Sequence, residues 1–436
     1  MLQLYLVFVV SLSDSFLAGR FVPDSGGHVA AQSALTTASY LTWLLSGYMV
    51  FVTVGSTALV SRFVGANKLT RANRVANQSI ILALFFGIPA AVIGIVGRPW
   101  LLTALQINPD AQGFASDYLL PLFLALPLQM IMQAGIASLV GAGDTRTGMW
   151  VLVFVALVNV PFSWAFFHGW FIFPKLSFPG IGYGTAVSHA MGSLIVFLVL
   201  LRGRAGLKIH GHMLRPNRGL LLRMLKVSVP AGLDSLILMI GQLWFLSIVN
   251  RLSKAESAAH GIALRCEGIS YLSGVAFATA AMTLVGQNLG AKRPQDASRS
   301  AWNALAMACG LMSLMGVIFF VLAPQLFELF CPHEHQASVV VAGIPALRLI
   351  ALAMPPLAVC IVFTQALRGA GDTRVPVLIT VIGFFLIRAP IAIYLTQPEM
   401  GLGLFGAWLA MCADIFVRGG FFLWRFLSGR WKTIEV

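Results

Sequence analysis

Gly141-Ala142-Gly143-Asp144-Thr145-Arg146 is repeated without change as Gly369-Ala370-Gly371-Asp372-Thr373-Arg374. Working outward, Leu59-Val60 and Gly65-Ala66 reappear as Leu284-Val285 and Gly290-Ala291. The two offsets, 228 and 225 residues, nearly agree, so the chain reads as two copies of one unit. Each copy is embedded in apolar runs of about 20 residues, the length a helix needs to cross a bilayer. The expected fold is therefore an all-α membrane protein of twelve transmembrane helices in two pseudo-symmetric six-helix bundles. Paired bundles of this kind are a transporter architecture.

Composition excludes most other classes. The chain is 58% hydrophobic and 10% charged with a mean hydropathy of +0.86, far outside the range of a soluble enzyme. No clustered metal-ligand motif and no nucleophile elbow points to an enzyme of the membrane. The net charge of +14 invites a nucleic-acid reading, but the basic residues are scattered over many loops instead of one face. With the spans drawn below, twenty of the 29 fall on one side and five on the other. That asymmetry is the positive-inside pattern and places both termini in the cytoplasm, in the cytoplasmic (inner) membrane. The cysteines at 266, 309, 331, 360 and 412 lack ligand spacing, so neither disulfide nor zinc is expected, and no cofactor is called for.

Twelve spans are expected over 1–21, 30–62, 72–97, 114–140, 148–171 and 181–202, then 224–251, 258–288, 298–323, 338–366, 375–396 and 402–427. The domain reading is an N-terminal bundle (1–202), a basic cytoplasmic linker (203–223), a C-terminal bundle (224–428) and a cytoplasmic tail (429–436). Trp100–Leu105 and Leu326–Phe330 are expected as short interfacial pieces. The first span opens without a basic lead-in and barely reaches crossing length, so Met1 reads as a late start rather than a signal peptide. Glycines in each GAGDTR supply a tight turn, while Asp144 and Asp372 can cap the next helix or hold an arginine.

Asp14 is the leading functional candidate. It interrupts a run that is otherwise almost wholly apolar, where a carboxylate costs about 2.5–3.5 kcal/mol unless protonated, paired or hydrated. Arg20 lies about 9 Å further along the helix, too far for a direct pair. In the second half, Asp234 follows Pro230 and Gly232 near the expected helix start, where the helix dipole favours an acid. Glu267 and Arg265 are two residues apart and so face different ways. These three are secondary candidates. His168 and His189 read as packing residues. Asp414 and Arg418, four apart, read as an intrahelical pair.

The paired GAGDTR, the Leu-Val-x-x-x-x-Gly-Ala helix ends, Ala258–Arg265 with Glu267, and Gly406-Ala407-Trp408 with Asp414 and Arg418 together resemble the multidrug and toxic compound extrusion family, nearest its DinF-like branch. The resemblance covers almost the whole chain. It implies a secondary antiporter that exports amphipathic, preferably cationic, organic compounds in exchange for H⁺ or Na⁺ by alternating access. It also implies that Asp14 handles the coupling ion, with Asn159 and Thr185 lining the same cavity. Where such members carry a second aspartate, Ser163 stands here, which leaves one carboxylate and favours H⁺. The family's second-half cation site uses an acid that the Leu349–Ala366 stretch lacks. The expected partners are a small organic substrate and the lipid bilayer, with the chain a monomer. A flippase for a lipid-linked precursor is the alternative, with Arg265, Arg348 and Arg388 facing a pyrophosphate.

Overall fold

The computed structural model describes residues 10, 13, 14, 16–18, 27–104, 109–170, 172–331 and 336–434. Most of the first expected span, including Arg20 and the start at Met1, lies outside the described residues. The helices are α1 (Gly27–Tyr48), α2 (Val50–Gly65), α3 (Leu69–Ala104), α4 (Pro109–Gly141), α5 (Thr145–His168) and α6 (Phe178–Arg202). After the connection come α7 (Arg218–Val249), α8 (Lys254–Gly290), α9 (Pro294–Val321), α10 (Ala323–Phe330), α11 (Ala337–Leu352) and α12 (Met354–Ala370). Last are α13 (Arg374–Val381), a π-helical segment Ile382–Arg388, α14 (Ala389–Leu395) and α15 (Gly403–Leu427). Among the described residues, ten helices are long and apolar enough to span a bilayer. Counting α11 and α12 as one span bent by 55° gives eleven.

The chain is an all-α membrane protein, and its surface shows why. Ile93, Val96 and Leu124 are mostly exposed, whereas Asn77, Ser163, Asp234 and Asp414 are buried. That inversion suits a hydrocarbon solvent, in which polar groups must find partners inside the protein.

Contacts divide the chain into Met1–Ser228 and Val229–Val436. The border falls inside α7, shortly before Pro230, whose missing N–H removes one intrahelical bond. Two expectations need correction here. The seventh helix begins at Arg218, not 224, because Asn217 caps it by accepting from the Leu220 amide (3.0 Å). Trp100–Leu105 is no separate piece either, since α3 runs unbroken through Ala104. The tail after α15 is packed down: Trp431 is fully buried, stacks on Phe426 at 4.8 Å and donates Nε1 to the Phe426 carbonyl (2.8 Å).

The duplication extends to turn geometry. Gly143 (φ 96°) and Gly371 (φ 88°) both adopt the left-handed conformation that L-residues avoid. Their following amides close the same bond, Asp144 N to Leu139 O and Asp372 N to Leu367 O, each 2.9 Å. Gly141 abuts the Thr57 carbonyl of α2, and Gly369 abuts the Met282 carbonyl of α8, an equivalent position. Close approach of this kind is how membrane helices gain packing energy without a hydrophobic drive between them. A Cβ on Gly141 would stand 2.8 Å from that carbonyl, and one on Gly369 would collide with its counterpart. Gly141→Ala and Gly369→Ala are each expected to destabilise by about 1–3 kcal/mol, with Gly369→Ala the worse. Thermal unfolding in detergent checks this, and an unshifted midpoint for both would contradict it.

Candidate functional site

Each of the two GAGDTR motifs carries one ion pair through its aspartate. Asp144 accepts from the Thr147 amide (3.0 Å) and hydroxyl (2.7 Å), capping α5, and takes Arg204 Nε at 2.8 Å. Asp372 takes Arg425 Nε, also at 2.8 Å. In both copies the motif's aspartate therefore holds an arginine at or just beyond the last helix of its bundle. Burial pulls the Asp144 carboxyl upward, but the Thr147 bonds and the Arg204 guanidinium outweigh it and leave it below the ordinary 3.8. A carboxyl lowered on folding stabilises above its unfolded value and loses that contribution as pH falls through the folded value. Asp144→Ala removes the cap and is expected to cost about 1 kcal/mol. The loss should shrink in the same unfolding measurement as pH falls through the folded carboxyl's lowered value, where the parent's carboxyl becomes protonated.

The N-terminal candidates form a chain across α5 and α6. Asn159 and Ser163 sit one turn apart on α5, both buried, and face Thr185 on α6. Asn159 Nδ2 donates to Thr185 Oγ1 (3.0 Å), and Ser163 Oγ lies 3.5 Å from both Asn159 Oδ1 and the Ile181 carbonyl. Thr185 Oγ1 also donates to the Ile181 carbonyl (3.2 Å). Gly184 permits this approach, because a Cβ there would stand 2.5 Å from Ser163.

Asp14 is buried, 6% exposed, and its Oδ1 has no hydrogen-bond partner among the described residues. No hydrogen bond joins it to Asn159, Ser163 or Thr185. Its neighbour Ser13 accepts from Trp164 Nε1 on α5 (3.1 Å), and Phe16 stacks on the same indole at 6.2 Å, which anchors this turn to α5. The link to the chain above is Tyr118 of α4, buried and within electrostatic reach of both Asp14 and the Thr185 side chain. Sequence reasoning missed Tyr118, a single tyrosine in an apolar helix with no motif around it. His189 Nδ1, one turn beyond Thr185, is also buried with no partner among the described residues.

Of the C-terminal candidates, Asp234 is ion-paired. Asp234 is fully buried and pairs with Arg368 Nη2 at 2.6 Å. It lies sixteen residues into α7, so the dipole at a helix start does not account for it. Arg368, counted from the sequence as a loop charge, is itself buried in the last turn of α12. Asp414 binds Arg418 on its own helix (2.7 Å) and Arg388 at the end of the π-helical segment (2.7 Å). The wider π turn is tied to Gly383, where any side chain would collide with Asp414 and Arg418. Glu267 is half-buried and within electrostatic reach of Arg388, while Arg265 is exposed.

This is a pair of bundles, each with a buried acid set on its own helices. A model of the MatE family matches residues 1–165 and again 230–394, once per unit. The chain belongs to the MatE family. Members of that family are membrane transporters, so the protein is a transporter and not an enzyme. Among curated relatives, it is 26% identical over 416 residues to a probable multidrug resistance protein NorM of Thermotoga maritima, covering 94% of this chain and 88% of that one. It is 28% identical to the protein of the same name in Rhodopseudomonas palustris, covering 82% and 76%. Its fold is that of a MOP superfamily transporter from Pyrococcus furiosus (TM-score 0.88, 19% identity, 99% and 94% covered). The Vibrio cholerae MATE transporter VcmN in its bent form is similar too (TM-score 0.86, 16% identity, 98% and 93% covered).

Proposed function

We propose that the protein is a multidrug efflux antiporter that exports amphipathic, preferably cationic, organic compounds in exchange for H⁺ by alternating access. The relatives named as multidrug resistance proteins support the cargo class. The observation that carries the coupling is Asp14: a buried carboxyl with an unpartnered oxygen, beside a hydrogen-bonded chain of neutral groups. As an anion it attracts a cationic substrate. Protonation from outside cancels that attraction and releases the substrate. One charge crossing 100 mV supplies about 2.3 kcal/mol, a concentration ratio of about fifty.

Na⁺ would need several free oxygens, yet Asn159 Oδ1 lies against Ser163 Oγ on its own helix, and Thr185 Oγ1 accepts from Asn159 Nδ2 and donates to the Ile181 carbonyl. With Ser163 in place of a second acid, the site offers one negative charge. Both facts favour the proton. The flippase alternative finds less support: Arg388 is held by Asp414, and Arg348 Nε donates to the Phe320 carbonyl (3.2 Å). The basic asymmetry of the loops supports a cytoplasmic-membrane location with both termini inside, and the chain works as a monomer. Efflux of a cationic dye from vesicles, under imposed H⁺ and Na⁺ gradients in turn, tests the reading. Transport should follow the H⁺ gradient alone, and transport driven only by Na⁺ would overturn the proton.

A further inference from the structure

The connection between α6 and α7 was expected to be an ordinary polar linker, yet it is held in one shape by buried amides of α3. Asn73 Oδ1 accepts from the Lys208 amide (2.8 Å). Asn77 Oδ1 accepts from the His210 amide (3.0 Å), and its Nδ2 donates to the Lys208 carbonyl (3.0 Å). Gln78 Oε1 accepts from the Asn217 amide (2.9 Å), while its Nε2 donates to the carbonyls of Met213 (2.7 Å) and Arg215 (2.9 Å). Asn77 and Gln78 are fully buried, and most of their bonds go to the connection's backbone. They fix its path and leave its charged side chains unused.

Those side chains are of one sign. No Asp or Glu occurs between Asp144 and Asp234, and Arg202, Lys208, Arg215, Arg218, Arg223 and Lys226 are all exposed. Among the described residues, Arg204 of the same segment is the one in an ion pair, with Asp144. The segment joins the ends of two apolar spans, so it lies where those spans leave the hydrocarbon and meet the headgroups. Leu222, on the first turns of α7, is 59% exposed beside Arg223. An apolar side chain and cations on one short stretch match the two layers of a phospholipid, acyl chain and phosphate.

We propose that the clasped segment from Arg202 to Lys226 is a preformed docking site for the phosphate headgroups of anionic phospholipids in the leaflet it faces. Because Asn73, Asn77 and Gln78 hold the backbone in place, little ordering accompanies lipid binding, and the guanidinium and ammonium groups meet phosphate without an acid to compete. The site stands apart from Asp14 and serves retention of boundary lipid, not cargo.

Reconstitution of the full chain into phosphatidylcholine vesicles with a trace of spin-labelled phosphatidylglycerol tests this. The motionally restricted fraction should be enriched in phosphatidylglycerol over spin-labelled phosphatidylcholine. The combined variant Arg215→Gln, Arg218→Gln, Arg223→Gln, Lys226→Gln should lose most of that preference, by about three- to ten-fold. Equal enrichment in parent and variant, or none in the parent, overturns the proposal. So does displacement of the labelled lipid by inorganic phosphate at matched ionic strength, which would mark a site for free anions. Asn77→Ala keeps every charge and should also lower the enrichment. If it does not accumulate, Asn73→Ala, which removes one bond to the segment, replaces it. Undiminished enrichment in the clasp variant overturns the preformed geometry.

Discussion

Asp14→Asn is expected to abolish gradient-driven export while leaving the protein folded. The substitution keeps the shape of the side chain and removes the carboxyl beside the N-terminal chain of Asn159, Ser163 and Thr185. Burying a neutral amide is cheaper than burying a carboxylate, so the thermal midpoint should hold or rise. The accumulation ratio that one proton sustains at 100 mV, about fifty, should fall to near unity in vesicles. Tyr118→Phe separates charge from geometry: it keeps the ring and deletes the hydroxyl that reaches Thr185 and faces Asp14. Coupling should weaken in this variant without disappearing, and its pH profile should move relative to the parent. Undiminished H⁺-driven export by Asp14→Asn would remove Asp14 from the mechanism and turn attention to Glu267. Asp234 is a poorer substitute, since Arg368 already compensates its charge.

What could be read in the sequence follows the range of the interactions involved. The repeat, the apolar spans and the left-handed turns at Gly143 and Gly371 are local patterns, and each was legible from residues within one helical turn or one loop. Pairings between distant helices were not. Asp234 in an apolar run demands a partner, but nothing local chooses among Arg368, Arg388 and Arg418, and Arg368 fell just beyond the span expected to end at 366. Burial in the last turn of α12 overturns that placement. The start of α7 was set six residues late, since Arg218 and Arg223 reduce hydropathy while remaining good helix formers. Tyr118 carried no signal at all. The amides on α3 did carry one: three carboxamides, Asn73, Asn77 and Gln78, at helical spacing beside a span imply backbone partners in some neighbouring segment.

Asp414→Ala should be the most destabilising single change in the second unit. Its two oxygens receive four bonds: Arg388 Nε (2.9 Å) and Nη2 (2.7 Å), and Arg418 Nε and Nη2 (2.7 Å each). Both guanidinium groups also lie over the Phe384 ring, at 4.1 and 5.2 Å, so they are enclosed by apolar groups on the far side. Deleting the acid strands two buried cations at once, a change expected to cost about 3–5 kcal/mol, a large part of the total stability of a typical fold. Asp234→Ala strands one, Arg368, and should cost less. Glu267, within reach of Arg388, softens the loss, so Glu267→Gln combined with Asp414→Ala should exceed the sum of the two alone. Replacing the trio by apolar groups, Asp414→Leu with Arg388→Met and Arg418→Leu, should recover most of the thermal midpoint, because the penalty arises from unpaired charge and not from lost attraction. That triple variant also decides what the cluster is for. If it folds and still exports, the arginines only hold α15 against the π-helical segment; if it folds and export is gone, the cluster acts in transport as well.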